Sequence, residues 1–157
     1  MMRGRAGRGG LAHLAGLTDL EVLMLSGTHV SDSGLAHLSG LKTLRQLWLS
    51  KTKVTDAGLS HLASLTELRD LRLEDTAVTG KGFRQMASCG RLSTLYLSGA
   101  PVTDAGLEEL KEFRRMYMLC LDAALYGIAV APIGRHAASA STRSNRARIF
   151  RVTGFAT

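Results

Sequence analysis

Three histidines recur at equal spacing, His13, His37 and His61. Imidazole is the side chain that most readily holds a transition metal or moves a proton near neutral pH. A zinc ion needs ligands that converge on it at about 2.0–2.1 Å. The three histidines fall on separate, repeated helical segments, which splay apart on the outside of a curved array, so they read as duplicated surface residues. We expect neither metal nor cofactor. Cys89 and Cys120 build no disulfide framework and match no zinc spacing. They read as free thiols of a reducing compartment, which places the chain in the cytoplasm. The run Gly4-Arg5-Ala6-Gly7-Arg8-Gly9-Gly10 is rich in glycine but follows no strand and lacks a Lys-Ser/Thr end, so it is no phosphate loop. No Gly-x-Ser-x-Gly elbow, His-Glu-x-x-His or Cys-x-x-Cys occurs in the chain. We therefore expect no enzyme.

The equal spacing belongs to the whole chain. Leucines at Leu17, Leu20, Leu23 and Leu25 return at Leu41, Leu44, Leu47 and Leu49, and again at Leu65, Leu68, Leu71 and Leu73. A further copy reads Cys89, Leu92, Leu95, Leu97, and a degraded one Phe113, Met116, Leu119, Leu121. The same step carries Val30 to Val54, Val78 and Val102, and Gly34 to Gly58, Gly82 and Gly106. Leu23-Met24-Leu25 has the period of two of a strand buried on one face. Leu35, Leu38 and Leu41 have helical spacing. Between them Ser31, Thr55, Thr79 and Thr103 stand where an N-cap hydroxyl would accept from free backbone N–H groups. Asp32, Asp56 and Asp104 follow, favourably placed against the positive end of a helix dipole. Gly80 replaces that acid in the third unit and predicts a weaker helix start. No single unit buries enough to fold alone, so the units must stack, with parallel strands side by side and helices behind.

This unit resembles the leucine-rich-repeat family, whose motif L-x-x-L-x-L-x-x-N/C-x-L is matched by Leu20-x-x-Leu23-x-Leu25-x-x-Thr28-x-Val30. The departure is at Thr28, Thr52, Thr76 and Ala100, which stand for the usual Asn or Cys. Threonine can still hydrogen-bond the turn; Ala100 cannot. The Thr-Asp-x-Gly-Leu helix start and Cys89-Gly90-Arg91-Leu92 also resemble the subclass found in F-box substrate receptors and similar bacterial proteins. The resemblance covers about residues 10–122 and implies an α/β solenoid, a parallel sheet on its concave face and helices on its convex face. It also implies a protein partner.

Strand alternation then selects the residues that face that partner. With Leu23 and Leu25 inward, Val22, Met24 and Ser26 face out, as do Gln46, Trp48 and Ser50, then Asp70, Arg72 and Glu74, then Thr94, Tyr96 and Ser98. The central column runs Met24, Trp48, Arg72, Tyr96, and on to Cys120. Trp, Tyr and Arg are the types most enriched at binding hot spots, and the chain's one Trp falls in this row. The candidate partner-binding set is Met24, Gln46, Trp48, Asp70, Arg72, Glu74, Thr94 and Tyr96. The competing structural reading is a stacked ladder that stabilises the sheet. Gly27, Lys51, Asp75 and Gly99 form a second column at the strand exits, with His29, Lys53, Ala77 and Pro101 beyond, on the rim.

Charge separates the repeats from their flanks. Of 20 basic residues, Arg3, Arg5, Arg8, Arg135, Arg143, Arg146, Arg148 and Arg151 lie in residues 1–8 and 123–157, while all 13 acids lie in 9–122. A nucleic-acid groove needs clustered cations on a folded face, so the charge of +7 argues for basic tails, with at most weak RNA contact through them. No stretch has the uninterrupted apolar length of a membrane span. We expect a disordered Gly/Arg-rich arm over 1–9, a half-unit over 10–16, and units over 17–40, 41–64, 65–88 and 89–112. A degraded unit over 113–122 and a disordered Ala/Ser/Arg-rich tail over 123–157 follow. The reading is a non-catalytic protein-interaction module. The alternatives are the substrate-recognition subunit of a ubiquitin-ligase-like complex, or a regulatory repeat segment of a larger protein.

Overall fold

A computed structural model describes residues 10–121, 139–140 and 148–151. Leu-x-Leu in each unit makes a three- or four-residue strand: β1 Val22–Met24, β2 Gln46–Trp48, β3 Asp70–Arg72, β4 Thr94–Tyr96 and β5 Met118–Leu121. These five pair in parallel and in sequence order, Leu23 beside Leu47, Leu71, Leu95 and Leu119. Backbone bonding continues past the strands, as in Leu25 N–H to the Trp48 carbonyl at 2.8 Å and Gly27 N–H to that of Ser50 at 2.8 Å.

Two further strands, β6 Ser139–Ala140 and β7 Arg148–Arg151, extend the sheet in the order β5-β7-β6, antiparallel to β5 and to each other. These six residues lie within the tail expected over 123–157. The edge accounts for the pairing: β5 ends the parallel series with a row of N–H and C=O groups that another strand can satisfy. The remainder of that tail, and the arm over 1–9, lie outside the described residues.

Each strand leaves through a turn that needs a residue at positive φ. Gly27 (φ 72°) and Gly99 (75°) suit it; Lys51 (58°) and Asp75 (52°) adopt the same left-handed backbone with a side chain attached. The turn threonines behave as expected. Thr28, Thr52 and Thr76 hydroxyls donate to the carbonyls of Leu25, Leu49 and Leu73 at 2.6, 2.6 and 2.7 Å. At Ala100 only the backbone N–H closes the turn, to the Leu97 carbonyl at 3.0 Å.

The helical halves are short. They comprise α1 Asp32–Leu35, α2 Asp56–Leu59 and α3 Asp104–Glu109, each running on into a 3-10 turn, while the third unit has only the 3-10 segment Phe83–Met86. That loss sits behind Gly80, as expected. The capping roles need correction. Thr55 accepts from the Ala57 N–H and Thr103 from the Gly106 N–H, but Ser31 makes no capping bond, and the Thr79 hydroxyl points to a carboxylate instead.

That carboxylate belongs to the preceding unit. Asp32 accepts from the Thr55 N–H at 2.8 Å and hydroxyl at 2.7 Å. Asp56 accepts four bonds: Thr79 N–H (3.0 Å) and hydroxyl (2.6 Å), Gly80 N–H (2.9 Å) and Gly82 N–H (3.0 Å). These acids tie one unit to the next as well as lying in the first turn of their own helices. Where Gly80 replaces the acid, the Thr103 hydroxyl donates to the Thr79 carbonyl instead, at 3.3 Å. The backbones close in to match: a Cβ on Gly106 would lie 2.3 Å from the Thr79 oxygen and 2.7 Å from the Gly80 Cα.

The core is the leucine columns. Leu35, Leu38, Leu41, Leu44, Leu47 and Leu49, and their counterparts in the next unit, are 0% exposed. Leu17, at the same place in its unit as Leu41, is 50% exposed. Burial comes from the neighbouring unit, and among the described residues only the half-unit over 10–16 precedes this one. Among the described residues no helix is long and apolar enough to cross a membrane.

Candidate functional site: the concave sheet face

Pairing registers place Met24 beside Trp48, Trp48 beside Arg72, Arg72 beside Tyr96 and Tyr96 beside Cys120. Paired residues in a sheet point to the same side, so the five share one face. A parallel row runs Val22, Gln46, Asp70, Thr94, Met118. Seven of the eight candidate residues are exposed or half-exposed; Thr94 is buried, between Asp70 and Met118. The central row is graded, from Met24 at 60% exposed to Cys120 at 5%.

In the middle of the row three side chains interact. The Arg72 guanidinium carbon lies 4.1 Å from the centre of the Trp48 ring and 4.6 Å from that of Tyr96. A cation over an aromatic face is drawn to the negative quadrupole of the ring, and here one guanidinium serves two rings. The Arg72 Nε lies 3.4 Å from an Asp70 carboxylate oxygen. The Ser50 hydroxyl donates to Glu74. The stacked-ladder geometry therefore exists, and it also holds the row in one conformation. The Trp48 Nε1–H is buried and has no hydrogen-bond partner among the described residues, an orphan donor that costs about 1–3 kcal/mol. Among the described residues the Tyr96 hydroxyl has only the Met118 sulfur, at 3.7 Å, a weak acceptor.

Electrostatics follow from burial. Loss of solvent pushes the Asp70 carboxyl above its usual range, with Arg72 opposing and Glu74 adding to the rise. Burial also raises the Tyr96 hydroxyl, helped by the Asp70 charge, and the Cys120 thiol, helped by that of Glu74. All three shifts favour the form with less negative charge. The Cys120 thiol is thus further from the reactive thiolate, and the Ser50 hydroxyl is bonded to a carboxylate rather than to an imidazole. The chemistry this face offers is stacking, apolar contact and hydrogen bonding.

The period also marks Ser50, two positions beyond Trp48, and Met118, which occupies the place of Thr94 one unit on. The rim column Gly27, Lys51, Asp75 and Gly99 is exposed throughout. His13 is exposed, His37 and His61 are half-buried, and among the described residues no three His, Cys, Asp or Glu side chains cluster to hold a metal.

No family model matches the chain, and no curated protein matches it. Solved structures do. An internalin from Listeria monocytogenes superposes with a TM-score of 0.51 at 22% identity, over 70% of this chain and 36% of the internalin. The chain thus spans about a third of the length of that neighbour, and at this identity the likeness is one of fold. Parallel strands in one sheet, short helices behind them and that neighbour together make the chain an α/β leucine-rich-repeat solenoid, its sheet on the concave face and its helices on the convex one.

Proposed function

We propose that the chain is a non-catalytic protein-interaction module that grips its partner on the concave sheet, through Met24, Gln46, Trp48, Asp70, Arg72, Glu74, Tyr96 and the edge of Thr94. One observation carries this reading. The only Trp, a Tyr and an Arg stand in register on one partly exposed face. Pre-stacking freezes their rotamers before contact, which lowers the entropy cost of binding. The fold supports the reading, because a solenoid presents a ribbed surface of side chains on a rigid frame. Two free, buried cysteines, Cys89 and Cys120, agree with a cytoplasmic setting. The units over 10–122 form the working domain of this reading.

The test is a pull-down with Trp48→Ala plus Tyr96→Ala against wild type, with circular dichroism in parallel. The reading expects capture of the partner to be lost and the spectrum to be kept. Loss of the spectrum would make the row a structural ladder, and capture that survives would move the binding surface elsewhere.

A further inference from the structure

We infer that the ridge where the chain enters the strands of the second to fifth units is a docking surface for a short acidic segment of a protein partner, held by Lys42, Arg45, Arg69, Arg91, Arg114 and Arg115. The inference rests on the proposed function only in taking the partner to be a protein. It uses a different surface from the row of Trp48, Arg72 and Tyr96.

The repeat itself turns these side chains outward. Leu41 and Leu44 are wholly buried, so Lys42, Thr43 and Arg45 between and beside them face solvent. One unit on, Leu65 and Leu68 leave Arg69 exposed. Then Cys89 and Leu92 leave Arg91, and Phe113 and Met116 leave Arg114, Arg115 and Tyr117. Backbone pairing holds the entries side by side, the Arg69 N–H donating to the Arg45 carbonyl at 2.8 Å and the Tyr117 N–H to that of Ser93 at 3.0 Å. Arg45 therefore stands beside Arg69, and Arg91 one unit from Arg115, at about 4.8 Å per strand. Like charges this close repel, so the arrangement lowers the stability of the free chain. Arg45 lies 3.3 Å from Glu21, and Arg91 bonds Glu67. Lys42, Arg69, Arg114 and Arg115 have no ion-pair partner among the described residues.

Elsewhere the charge is balanced or opposite in sign. On the concave sheet and the exit rim together, Arg72, Lys51 and Lys53 stand against Asp70, Glu74 and Asp75. The helical side carries Lys81, Arg84 and Lys111 against six acids, among them Asp32, Asp56 and Asp104. Over the second to fifth units the entry ridge sets its six cations against Glu67 alone, and Asp19 and Glu21 close it at the first unit. An acidic visitor is drawn to this ridge and repelled from the helical side. The ridge spans three strand spacings, about 14 Å, the length of about four extended residues. Its arginine forks suit carboxylates. Single-stranded nucleic acid, the other polyanion, wants a series of open rings for its bases. Among the described residues this side leaves one ring open, Tyr117 at 48%, since Arg72 fills the space between Trp48 and Tyr96.

The probe is fluorescein-labelled hexa-glutamate, titrated with the full chain at low salt and followed by anisotropy, with labelled hexa-uridylate in parallel. R69E/R115E should weaken hexa-glutamate binding about tenfold, two exposed attractions being lost and two repulsions gained. K81E/R84E makes the same change of net charge on the helical side and should weaken it less than about twofold. Equal losses in the two pairs, or none in R69E/R115E, overturn the ridge, because binding would then follow net charge alone. Tighter binding of hexa-uridylate than of hexa-glutamate overturns the protein partner in favour of nucleic acid. R69Q carries the test if R69E/R115E fails to fold. It should weaken hexa-glutamate binding about threefold and leave the urea midpoint no lower than in wild type, since it removes a repulsion. A lower midpoint would make Arg69 a structural residue and overturn its role here. Trp48→Ala plus Tyr96→Ala should leave hexa-glutamate binding unchanged; its loss would place the peptide on the concave row and overturn the ridge. Partner capture by that double variant is read separately, so the two ideas can fail independently.

Discussion

Asp56 is the strongest single link between two units, and its removal should be measurable at the scale of the whole fold. Its carboxylate accepts four bonds from the third unit, Asp32 accepts two from the second, and Asp104 accepts none among the described residues. A hydrogen bond to a charged group is worth about 1.5–3 kcal/mol when buried, and the half-exposure of Asp56 reduces that to about 0.8 each. Asp56→Ala should then cost about 3 kcal/mol, Asp32→Ala about 1.5, and Asp104→Ala no more than about 0.5. Against a typical total of about 5–15 kcal/mol, the first is a large fraction. In urea, with a slope near 2 kcal/mol per molar, the midpoints should fall by about 1.5, 0.7 and 0.2 M. Equal shifts for Asp32→Ala and Asp56→Ala, or a shift below about 0.4 M for the latter, would refute the reasoning. An acid test follows from the same geometry. Burial alone would raise the Asp56 pKa, but the bonds from Thr79, Gly82 and Gly80 outweigh it and hold the carboxyl below 3.8. Its folded pKa is depressed, so its stabilisation is full above the unfolded value of about 3.9 and is lost as pH falls through the folded one. The stability gap between wild type and Asp56→Ala should therefore close as pH drops from 5 toward 2, as read by urea midpoints.

Other expectations are more local. Lys51→Gly should raise stability by about 1 kcal/mol by relieving a left-handed side-chain residue, whereas Gly99→Ala should lower it, because it would place a side chain at φ 75°; thermal midpoints decide both. Ala100→Thr should restore the turn bond made at Thr28, Thr52 and Thr76 and gain about 1 kcal/mol, and an unchanged or lower midpoint would mean that the fourth turn has no room for it. Burial pushes the Cys89 thiol up to about 11 while it donates to the Leu62 carbonyl at 3.2 Å. A thiol-disulfide reagent should leave it unmodified in the native chain at pH 8 and label it in urea; rapid native labelling would mean that this part of the core opens.

Which features could be read in advance depends on whether one unit or its neighbour decides them. Strand positions, the inward leucines, the outward row from Met24 to Tyr96 and the bonds of the turn threonines follow from spacing, because a period of two and a fixed step leave no freedom in which face a side chain takes. Gly80 likewise announced a weaker helix start in the third unit, where the structure has only a 3-10 segment. Neighbours decided the rest. Leu17 and Leu41 hold the same place in the motif, yet one is exposed and the other buried, since only stacking removes a side chain from water. Asp32 and Asp56 looked like helix-dipole partners, and the decisive donors to them proved to lie across a unit boundary, where the chain is folded close but the letters stand about two dozen apart. Trp48, Arg72 and Tyr96 were legible as a row. That the guanidinium slides between the rings is a matter of rotamers and distances of about 4 Å, which only the assembled sheet sets.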